Sequence, residues 1–197
     1  MMLQMLPMLA FADDAPDAYA VKIDGKEGSY AKLVDAVKAA SSGDTIILGE
    51  GEYKLYNDIS ENELAGEELT FVGQGDKTIW NIGYKIDQPK AEDCDYDLGG
   101  AEKITFEKMK LKCGTGDYHG FARIHNTVVK DCVIEGKTFY WGYTSAEFIN
   151  TTFNAPLLDY AIWTYSSPTM TFDNCTFNAT GKVINVYTDY GAGKQDI

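Results

Sequence analysis

Residues 172–177 read Phe-Asp-Asn-Cys-Thr-Phe, and two earlier stretches repeat this pattern. Residues 148–153 read Phe-Ile-Asn-Thr-Thr-Phe, and residues 129–134 read Val-Lys-Asp-Cys-Val-Ile. In each stretch a large apolar residue is followed by Asn or Asp two positions later, then by a small residue and a second large apolar residue. Phe148 follows Val129 by 19 residues and Phe172 follows Phe148 by 24. A period of this size indicates an array of stacked structural repeats.

The pattern extends towards the N-terminus. Phe106 precedes Val129 by 23 residues, with Lys108 in the Asn position, and Phe71 fits the same frame. The stretch Ile46 to Leu48, whose last residue precedes Phe71 by 23, brings the total to about six units. The step from Phe71 to Phe106 is longer, at 35 residues, and predicts an insertion at the acidic residues 87–101.

The composition of the units selects the type of repeat. Thr, Val, Ile, Phe and Tyr alternate with polar residues, as is typical of strands, and a unit of this length has no room for a helix of about ten residues. The leucine ladder of leucine-rich repeats is missing. We therefore predict an all-β parallel β-helix with three short strands per coil, each paired with its equivalent about 4.8 Å away in the next coil.

The recurring Asn or Asp fits a sharp turn between two faces of such a coil. Asn and Asp tolerate the left-handed backbone conformation better than other residues that have a side chain. Asp131, Asn150 and Asn174 are therefore predicted to form a structural ladder, in which each side chain bonds to the next. Asn150 and Asn174 also begin Asn-x-Thr glycosylation sequons, but we expect ladder residues to be too buried for modification.

The units resemble those of the right-handed parallel β-helix proteins of the pectin-lyase-like superfamily. Residues 43–48, Gly-Asp-Thr-Ile-Ile-Leu, followed by Gly51-Glu52-Tyr53, are similar to the first coil of many members. The Phe-x-Asn-Cys-x-Phe units and residues 159–165 and 181–187 resemble a subgroup of secreted or surface proteins of gut bacteria. The resemblance covers about residues 21–197 and implies a right-handed coil. It does not imply one activity, because this fold carries lyases, hydrolases, isomerases, tailspikes and adhesins.

The two ends of the coil differ. Residues 29–40 predict an amphipathic capping α-helix with Ser29 as N-cap, which closes the apolar end of a solenoid; a partner-recruiting helix is the alternative. The C-terminal residues 191–197 predict a loop into a further coil. The expected organisation is a signal peptide at residues 1–12, an N-terminal strand and capping helix at 13–42, and a β-helix at 43–197 that is truncated, or covered by a partner or a second copy.

Charge and apolar runs restrict the partners. With 17 cations and 30 anions, the net charge of −13 argues against nucleic acid and anionic membranes, and against polyanionic substrates unless calcium bridges the charges. Residues 1–12 end in Ala-Phe-Ala, which matches a signal-peptide cleavage pattern, although the basic n-region is missing. No other apolar run is long enough to insert into a membrane. The expected location is secreted or on a bacterial cell surface.

The four cysteines do not predict a disulfide framework. Cys132 and Cys175 occupy the same place two units apart, about 9.6 Å from each other, which is too far for a disulfide. We expect both to be free thiols that face the core. Cys94 and Cys113 could form a disulfide that fixes the insertion in place. Their spacing disfavours a zinc site.

The only arginine and both histidines lie close together, at His119, Arg123 and His125. The resemblance implies that a lyase of this fold would use such a basic residue together with calcium held by several Asp. A hydrolase of this fold would instead use three closely spaced Asp. Neither set is complete here. These residues are therefore candidate catalytic residues only for a polysaccharide lyase or glycoside hydrolase, and we expect them to pair with acidic surface residues instead.

The strand after each Asn turn predicts an aromatic row. Aligning Lys137, Tyr160 and Lys182 stacks Phe139 with Ile162 and Ile184 in the core. The same alignment places Tyr140, Trp163 and Asn185 in one row on the outside. The expected ligand-binding residues are Tyr140, Trp163, Tyr165, Tyr187, Asp159 and Asp189. The alternative is reversed parity, in which the aromatic side chains belong to the core.

These observations favour a secreted or cell-surface module, without catalysis, metal or cofactor, that binds glycan or a host or cell-surface protein. Self-association through the open C-terminal coil is the other expected contact. The alternative function is a polysaccharide lyase or glycoside hydrolase, for which calcium is the implied cofactor.

Overall fold

The computed structural model describes residues 20–55, 58–60, 62–82, 94–95, 97–115, 120–165 and 169–187. Within these ranges the chain forms sixteen strands and one α-helix. The strands join into one sheet of eleven strands and one of five, and every pairing between strands except the first is parallel. None of the described helical residues forms a segment long and apolar enough to cross a membrane.

The larger sheet has two rows of strands, which we call the first and second faces. The first face contains β2 (Thr45–Leu48), the start of β4 (Glu68–Asn81), the start of β6 (Lys103–Gly114), β8 (Asn126–Lys130), β11 (Ser145–Ile149) and β14 (Thr169–Asp173). The second face contains β3 (Gly51–Tyr53), the ends of β4 and β6, β9 (Val133–Gly136), β12 (Thr152–Ala155) and β15 (Thr176–Ala179).

The five-stranded sheet is the third face. It contains β5 (Cys94–Asp95), β7 (Gly120–Ala122), β10 (Thr138–Trp141), β13 (Tyr160–Tyr165) and β16 (Lys182–Tyr187). Each strand of a face pairs with the strand that holds the same place in the next repeat unit. The described residues thus lie mostly in strands joined in parallel sheets, which is compatible with a β-helix-like fold.

The pairing on the first face follows the apolar frame of the repeat. Phe106 pairs with Phe71 and with Val129, and Phe148 pairs with Val129 and with Phe172. These side chains face the core, where Phe71 and Phe106 stack with ring centroids 5.8 Å apart and Phe148 and Phe172 with centroids 5.2 Å apart. The spacing of the repeated motif therefore predicts the register of this face.

In the first unit the predicted register is wrong by two residues. Phe71 pairs with Ile46 and not with Leu48. The chain takes seven residues from Ile46 to Tyr53, which pairs with Trp80, whereas Phe148 and Phe153 are five apart (53 − 46 and 153 − 148). A register shift of two residues leaves the same side chains facing the core. The predicted inward and outward sides of this strand are therefore unaffected.

The predicted insertion is in part misplaced. Trp80 follows Phe71 by nine residues, but its partner Leu111 follows Phe106 by five (80 − 71 and 111 − 106). The four additional residues form an irregularity within β4 around Gly75, whose φ of 75° is left-handed. Residues 87–93 and 96 of the predicted insertion lie outside the described residues.

The N-terminal elements cover one end of the sheets. β1 (Val21–Ile23) pairs antiparallel with β2, and α1 (Leu33–Ala39) buries Leu33, Ala36 and Val37 in the core. The helix is shorter than predicted, because its N-cap is Lys32 and not Ser29. Lys32 makes no side-chain capping bond. The apolar stripe is the correct part of that prediction.

The turn between the first and second faces contains the predicted ladder. Lys108, Asp131, Asn150 and Asn174 have φ values of 55°, 53°, 48° and 50°. Asn150 Nδ2 donates to Asp131 Oδ1 at 3.0 Å, and Asn174 Nδ2 donates to Asn150 Oδ1 at 2.7 Å. The expectation that these residues are buried is wrong: the ladder lies at the surface because the left-handed turn points its side chains away from the core.

The residue after each ladder position turns back towards the core. Cys132 Sγ donates to the carbonyl of Lys130 at 3.1 Å, and Thr151 Oγ1 donates to that of Ile149 at 3.0 Å. Cys175 makes the same kind of bond with Asp173, at 3.5 Å. Cys and Thr therefore serve as equivalent donors at this position.

Cys132 and Cys175 are free thiols, as predicted; Cys132 is buried, and Cys175 is half-buried. Cys113 is also a free, buried thiol, so it does not pair with Cys94. Burial raises the pKa of the Cys113 and Cys132 thiols to about 12. Both are therefore uncharged core residues near neutral pH.

Candidate functional site

The register of the third face differs from the prediction at one step. Tyr160 pairs with Lys182, Ile162 with Ile184 and Trp163 with Asn185, as aligned from the sequence. The step from β10 to β13 is shifted by one residue, because Phe139 pairs with Trp163 and Tyr140 pairs with Thr164. A shift of one residue exchanges the two sides of a strand.

Tyr140 consequently faces the core, and its predicted place in an outer row is wrong. Its side chain is 1% exposed and its ring lies 5.6 Å from that of Phe148. Burial raises the pKa of Tyr140 well above its usual value. Phe139, predicted to lie in the core, is instead on the outer side with Ala122, Trp141 and Trp163.

The outer side of the third face carries a cluster of aromatic rings. Trp163 is at its centre, and three of its edge-to-face contacts have centroid distances of 5.8 Å, 5.7 Å and 6.1 Å, to Phe139, Tyr160 and Tyr187. We call Phe139, Trp141, Tyr160, Trp163 and Tyr187 the aromatic face. Phe139 and Tyr160 are buried, whereas Trp141 and Trp163 are half-buried and Tyr187 is exposed.

Two cations lie against these rings. The Arg123 guanidinium carbon lies 4.9 Å from the ring centroid of Trp141, and Lys137 Nζ lies 4.4 Å from that of Tyr160. Such contacts are favourable because the face of an aromatic ring carries partial negative charge. Lys137 is itself nearly buried, and its Nζ is 2.6 Å from Asp159 Oδ1. The Asp159 carboxylate remains mostly exposed beside the rings, at 68%.

Arg123 adopts an unusual backbone conformation. Its φ of 58° is left-handed, and its N–H donates to the carbonyl of Trp141 at 2.8 Å. The equivalent residue in the next unit, by the pairing of Ala122 with Trp141, is Gly142, whose φ of 67° is also left-handed. Glycine adopts this conformation without strain, so Arg123 retains a strained backbone at the edge of the aromatic face.

The other candidate residues are placed as follows. His125 Nδ1 is 3.2 Å from Glu102 Oε2, a pairing with an acidic residue of the kind expected for this basic cluster. The backbone of Tyr165 pairs with that of Tyr187. His119 and Asp189 lie outside the described residues. Among the described side chains, no group of three or more His, Cys, Asp or Glu could hold a metal ion.

Sequence reasoning missed Phe139 and Trp141 as members of the outer side, whereas the alignment of Asn185 with Trp163 is correct. The signal was the pair Phe139 and Trp141, two large apolar residues at alternate positions with Tyr140 between them. That pattern is compatible with these two side chains facing either the core or the outside. Only the length of the preceding turn decides which side they face. No protein-family model, curated protein or solved structure matches this chain.

Proposed function

We propose that this protein is a secreted or cell-surface module with a right-handed parallel β-helix of the pectin-lyase-like type, which binds glycan through its aromatic face and has no catalytic activity. The fold part of the proposal is supported by the in-register parallel pairing on three faces and by the Asn ladder. The binding part is supported chiefly by Trp163, a half-buried indole held between Phe139 and Tyr187.

The aromatic face has the chemistry that sugars require. The C–H side of a pyranose ring is apolar and packs on an indole or phenol ring, while its hydroxyl groups need nearby hydrogen-bond partners. Trp141, Trp163 and Tyr187 supply the partly exposed rings. Asp159 supplies an exposed carboxylate, and Asn185 lies directly beside Trp163 in the sheet. The buried Phe139 and Tyr160 fix the position of the rings above them.

Charge restricts the class of glycan. The chain carries a net charge of −13, which repels a polyanion over the whole surface. Neutral glycans avoid this repulsion. We therefore place neutral oligosaccharides first among the ligands.

A glycan array followed by calorimetry on the strongest hits tests the proposal. The double variant Trp141→Ala, Trp163→Ala should weaken binding by at least tenfold, because each ring provides about 1 kcal/mol or more of stacking energy. Thr171→Ala and Thr176→Ala, exposed residues on the first and second faces, are the matched controls and should bind as wild type does. Unchanged binding by the double variant would reject the aromatic face.

The location is tested separately. If residues 1–12 are an export signal, a bacterial host should release or display a protein whose N-terminal sequence begins after Ala12. A cytoplasmic product that retains Met1 would reject secretion by this signal.

A polysaccharide lyase or hydrolase is the second candidate, and the strained backbone of Arg123 is the observation that favours it. In that case wild-type protein with calcium should release unsaturated uronides or reducing sugars, and Arg123→Ala should abolish the release. A wild-type preparation that binds a glycan without cleaving it excludes this candidate for that glycan.

A further inference from the structure

The corner before each strand of the third face holds a different residue in three successive units. Lys137 immediately precedes β10, Asp159 immediately precedes β13 and Gly181 immediately precedes β16. The side chains of Lys137 and Asp159 form the ion pair described above, with 2.6 Å between Nζ and Oδ1. Opposite charges on neighbouring strands attract each other. This pair therefore joins two successive units at their shared corner.

The two members of the pair differ in exposure. Lys137 is 8% exposed, and its Nζ lies against the ring of Tyr160. A lysine side chain is rarely buried to this extent unless its charge is paired. The Asp159 carboxylate, in contrast, is mostly exposed. An ionised carboxylate accepts hydrogen bonds at about four positions and donates none, so it can bond to Lys137 and to a ligand at the same time.

The backbone of Asp159 is held by the following unit. Its carbonyl accepts from the N–H of Lys182 at 2.8 Å. Two residues before it, the N–H of Leu157 donates to Thr180 Oγ1 at 3.0 Å. The chain passes so close to Gly181 that a Cβ there would lie 2.4 Å from the Asp159 carbonyl oxygen. Asp159 is thus fixed to the preceding unit by its side chain and to the following unit by its backbone.

This fixed carboxylate lies at the border of the aromatic face. Lys137 contacts both Asp159 and the ring of Tyr160, and that ring contacts Trp163 with centroids 5.7 Å apart. A sugar whose C–H side stacks on Trp163 presents its hydroxyl groups around the edge of its ring. An acceptor that is already held in place loses less conformational freedom on binding than a mobile one. The arrangement therefore favours a sugar that donates a hydroxyl group to Asp159.

We infer that Asp159 selects the sugar at the aromatic face by accepting a hydrogen bond from one of its free hydroxyl groups, and that Lys137 is a positioning residue for this carboxylate. The inference rests on the glycan-binding function proposed above. It restricts the ligand to neutral sugars with an unsubstituted hydroxyl group at one ring position, because a carboxylate accepts hydrogen bonds but donates none. A deoxy or O-methyl analogue at that position has no proton to donate.

Calorimetry with the strongest glycan from the array and its single-deoxy analogues tests the role of Asp159. Removal of one particular hydroxyl group should weaken binding to wild type by about tenfold, because a hydrogen bond to a charged group is lost. Asp159→Asn should weaken binding of the parent glycan by about tenfold and reduce the penalty for that analogue to less than about threefold. Glu147→Gln, at an exposed residue of the first face, is the matched control and should bind as wild type does.

A double-mutant cycle tests the role of Lys137. Lys137→Met removes the charge, keeps a side chain of similar shape and should weaken binding by about threefold to tenfold. In that background Asp159→Asn should cost less than about threefold, because the carboxylate is no longer held in place. A lysine that only stabilised the fold would leave the full effect of Asp159→Asn unchanged. Lys112→Met, at an exposed residue of the second face, is the control, and circular dichroism checks that all variants are folded.

The outcomes separate this inference from the proposed function. A wild type that binds no glycan would overturn both. If the Trp141→Ala, Trp163→Ala variant loses binding while Asp159→Asn binds and discriminates as wild type does, the inference is wrong and the proposed function stands. An equal effect of Asp159→Asn with and without the charge of Lys137 would reject the positioning role of that lysine.

Discussion

At the scale of single residues, the turn between the first and second faces depends on side chains that accept a left-handed backbone. Asp131, Asn150 and Asn174 combine that conformation with a ladder of side-chain hydrogen bonds. Two physical contributions, backbone strain and hydrogen bonding, therefore meet in one residue. They can be separated by substitution.

Replacing Asn150 by Ala should lower the free energy of unfolding by about 1–3 kcal/mol, because it removes both ladder bonds and puts a Cβ-bearing residue with no local hydrogen bond at φ 48°. Asn150→Gly should cost about 1 kcal/mol less, since only the bonds are lost. Urea unfolding measures both. Asn154→Ala is the control, because it removes only one side-chain hydrogen bond, which Asn178 of the second face donates to Asn154 Oδ1 at 2.8 Å. Equal losses for Ala and Gly would show that the strain contributes nothing.

Tyr140 provides the second residue-scale prediction. Its hydroxyl is buried without a well-aligned hydrogen-bond partner among the described residues. Tyr140→Phe should therefore leave the free energy of unfolding unchanged or raise it by up to about 1 kcal/mol. Tyr143→Phe is the contrast, because the Tyr143 hydroxyl bonds to Thr164 and its loss should cost about 1–2 kcal/mol. A marked loss of stability in Tyr140→Phe would indicate a hydrogen bond at that hydroxyl.

The buried thiols give the stability a defined dependence on pH. Burial raises the pKa of Cys113 and Cys132 from 9.0 to about 12. The unfolded chain loses these protons above about pH 9 while the folded chain keeps them. Their contribution is therefore fully present below pH 9 and is lost as the pH rises towards 12.

Cys132→Thr should remove part of this alkaline loss, because Thr151 already makes the equivalent hydrogen bonds in the next unit. Between pH 8 and pH 10.5 the variant should lose about 1–2 kcal/mol less than wild type in urea unfolding under reducing conditions. Identical losses in the two proteins would show that Cys132 has an ordinary pKa in the folded state.

At the scale of elements, the faces differ in how well the sequence predicts them. On the first face the sequence aligns four residues correctly, namely Phe106, Val129, Phe148 and Phe172. A left-handed turn residue, which is Lys, Asp or Asn, follows each of them at the same distance. The third face has no such marker, since the chain takes four residues from Ile134 to Thr138 but nine from Phe153 to Ile162 (138 − 134 and 162 − 153). Because the turn lengths vary, alternation alone does not determine which side chains of a strand face the core. The predicted outward direction of Tyr140 is wrong for this reason.

The helix α1 offers a test at this scale. Its N-cap, Lys32, is exposed, has extended φ and ψ of −129° and 142°, and makes no capping bond. Lys32→Asp should raise the free energy of unfolding by about 0.5–2 kcal/mol, because the carboxylate can accept from the first free N–H groups and lies at the positive end of the helix. Thermal and urea unfolding measure the change, with Lys22→Asp on β1 as the control for charge. No gain, or a gain equal to that of the control, would contradict the assigned helix start.

At the scale of the whole molecule, the units place their aromatic side chains in two separate groups. Trp80, Phe106 and Phe121 lie in the core. Trp141, Trp163 and Tyr187 lie on the outside of the third face. We therefore propose that, of the three tryptophans of the chain, Trp80 is structural and the other two contact the ligand.

The indole N–H signals of a ¹⁵N-labelled sample test this division directly, after assignment by single Trp→Phe variants. On titration with a glycan selected from the array, the Trp141 and Trp163 signals should shift with the same dissociation constant, while the Trp80 signal stays in place. A shift at Trp80 alone, binding that moves none of the three signals, or a chain that binds no glycan would contradict the account.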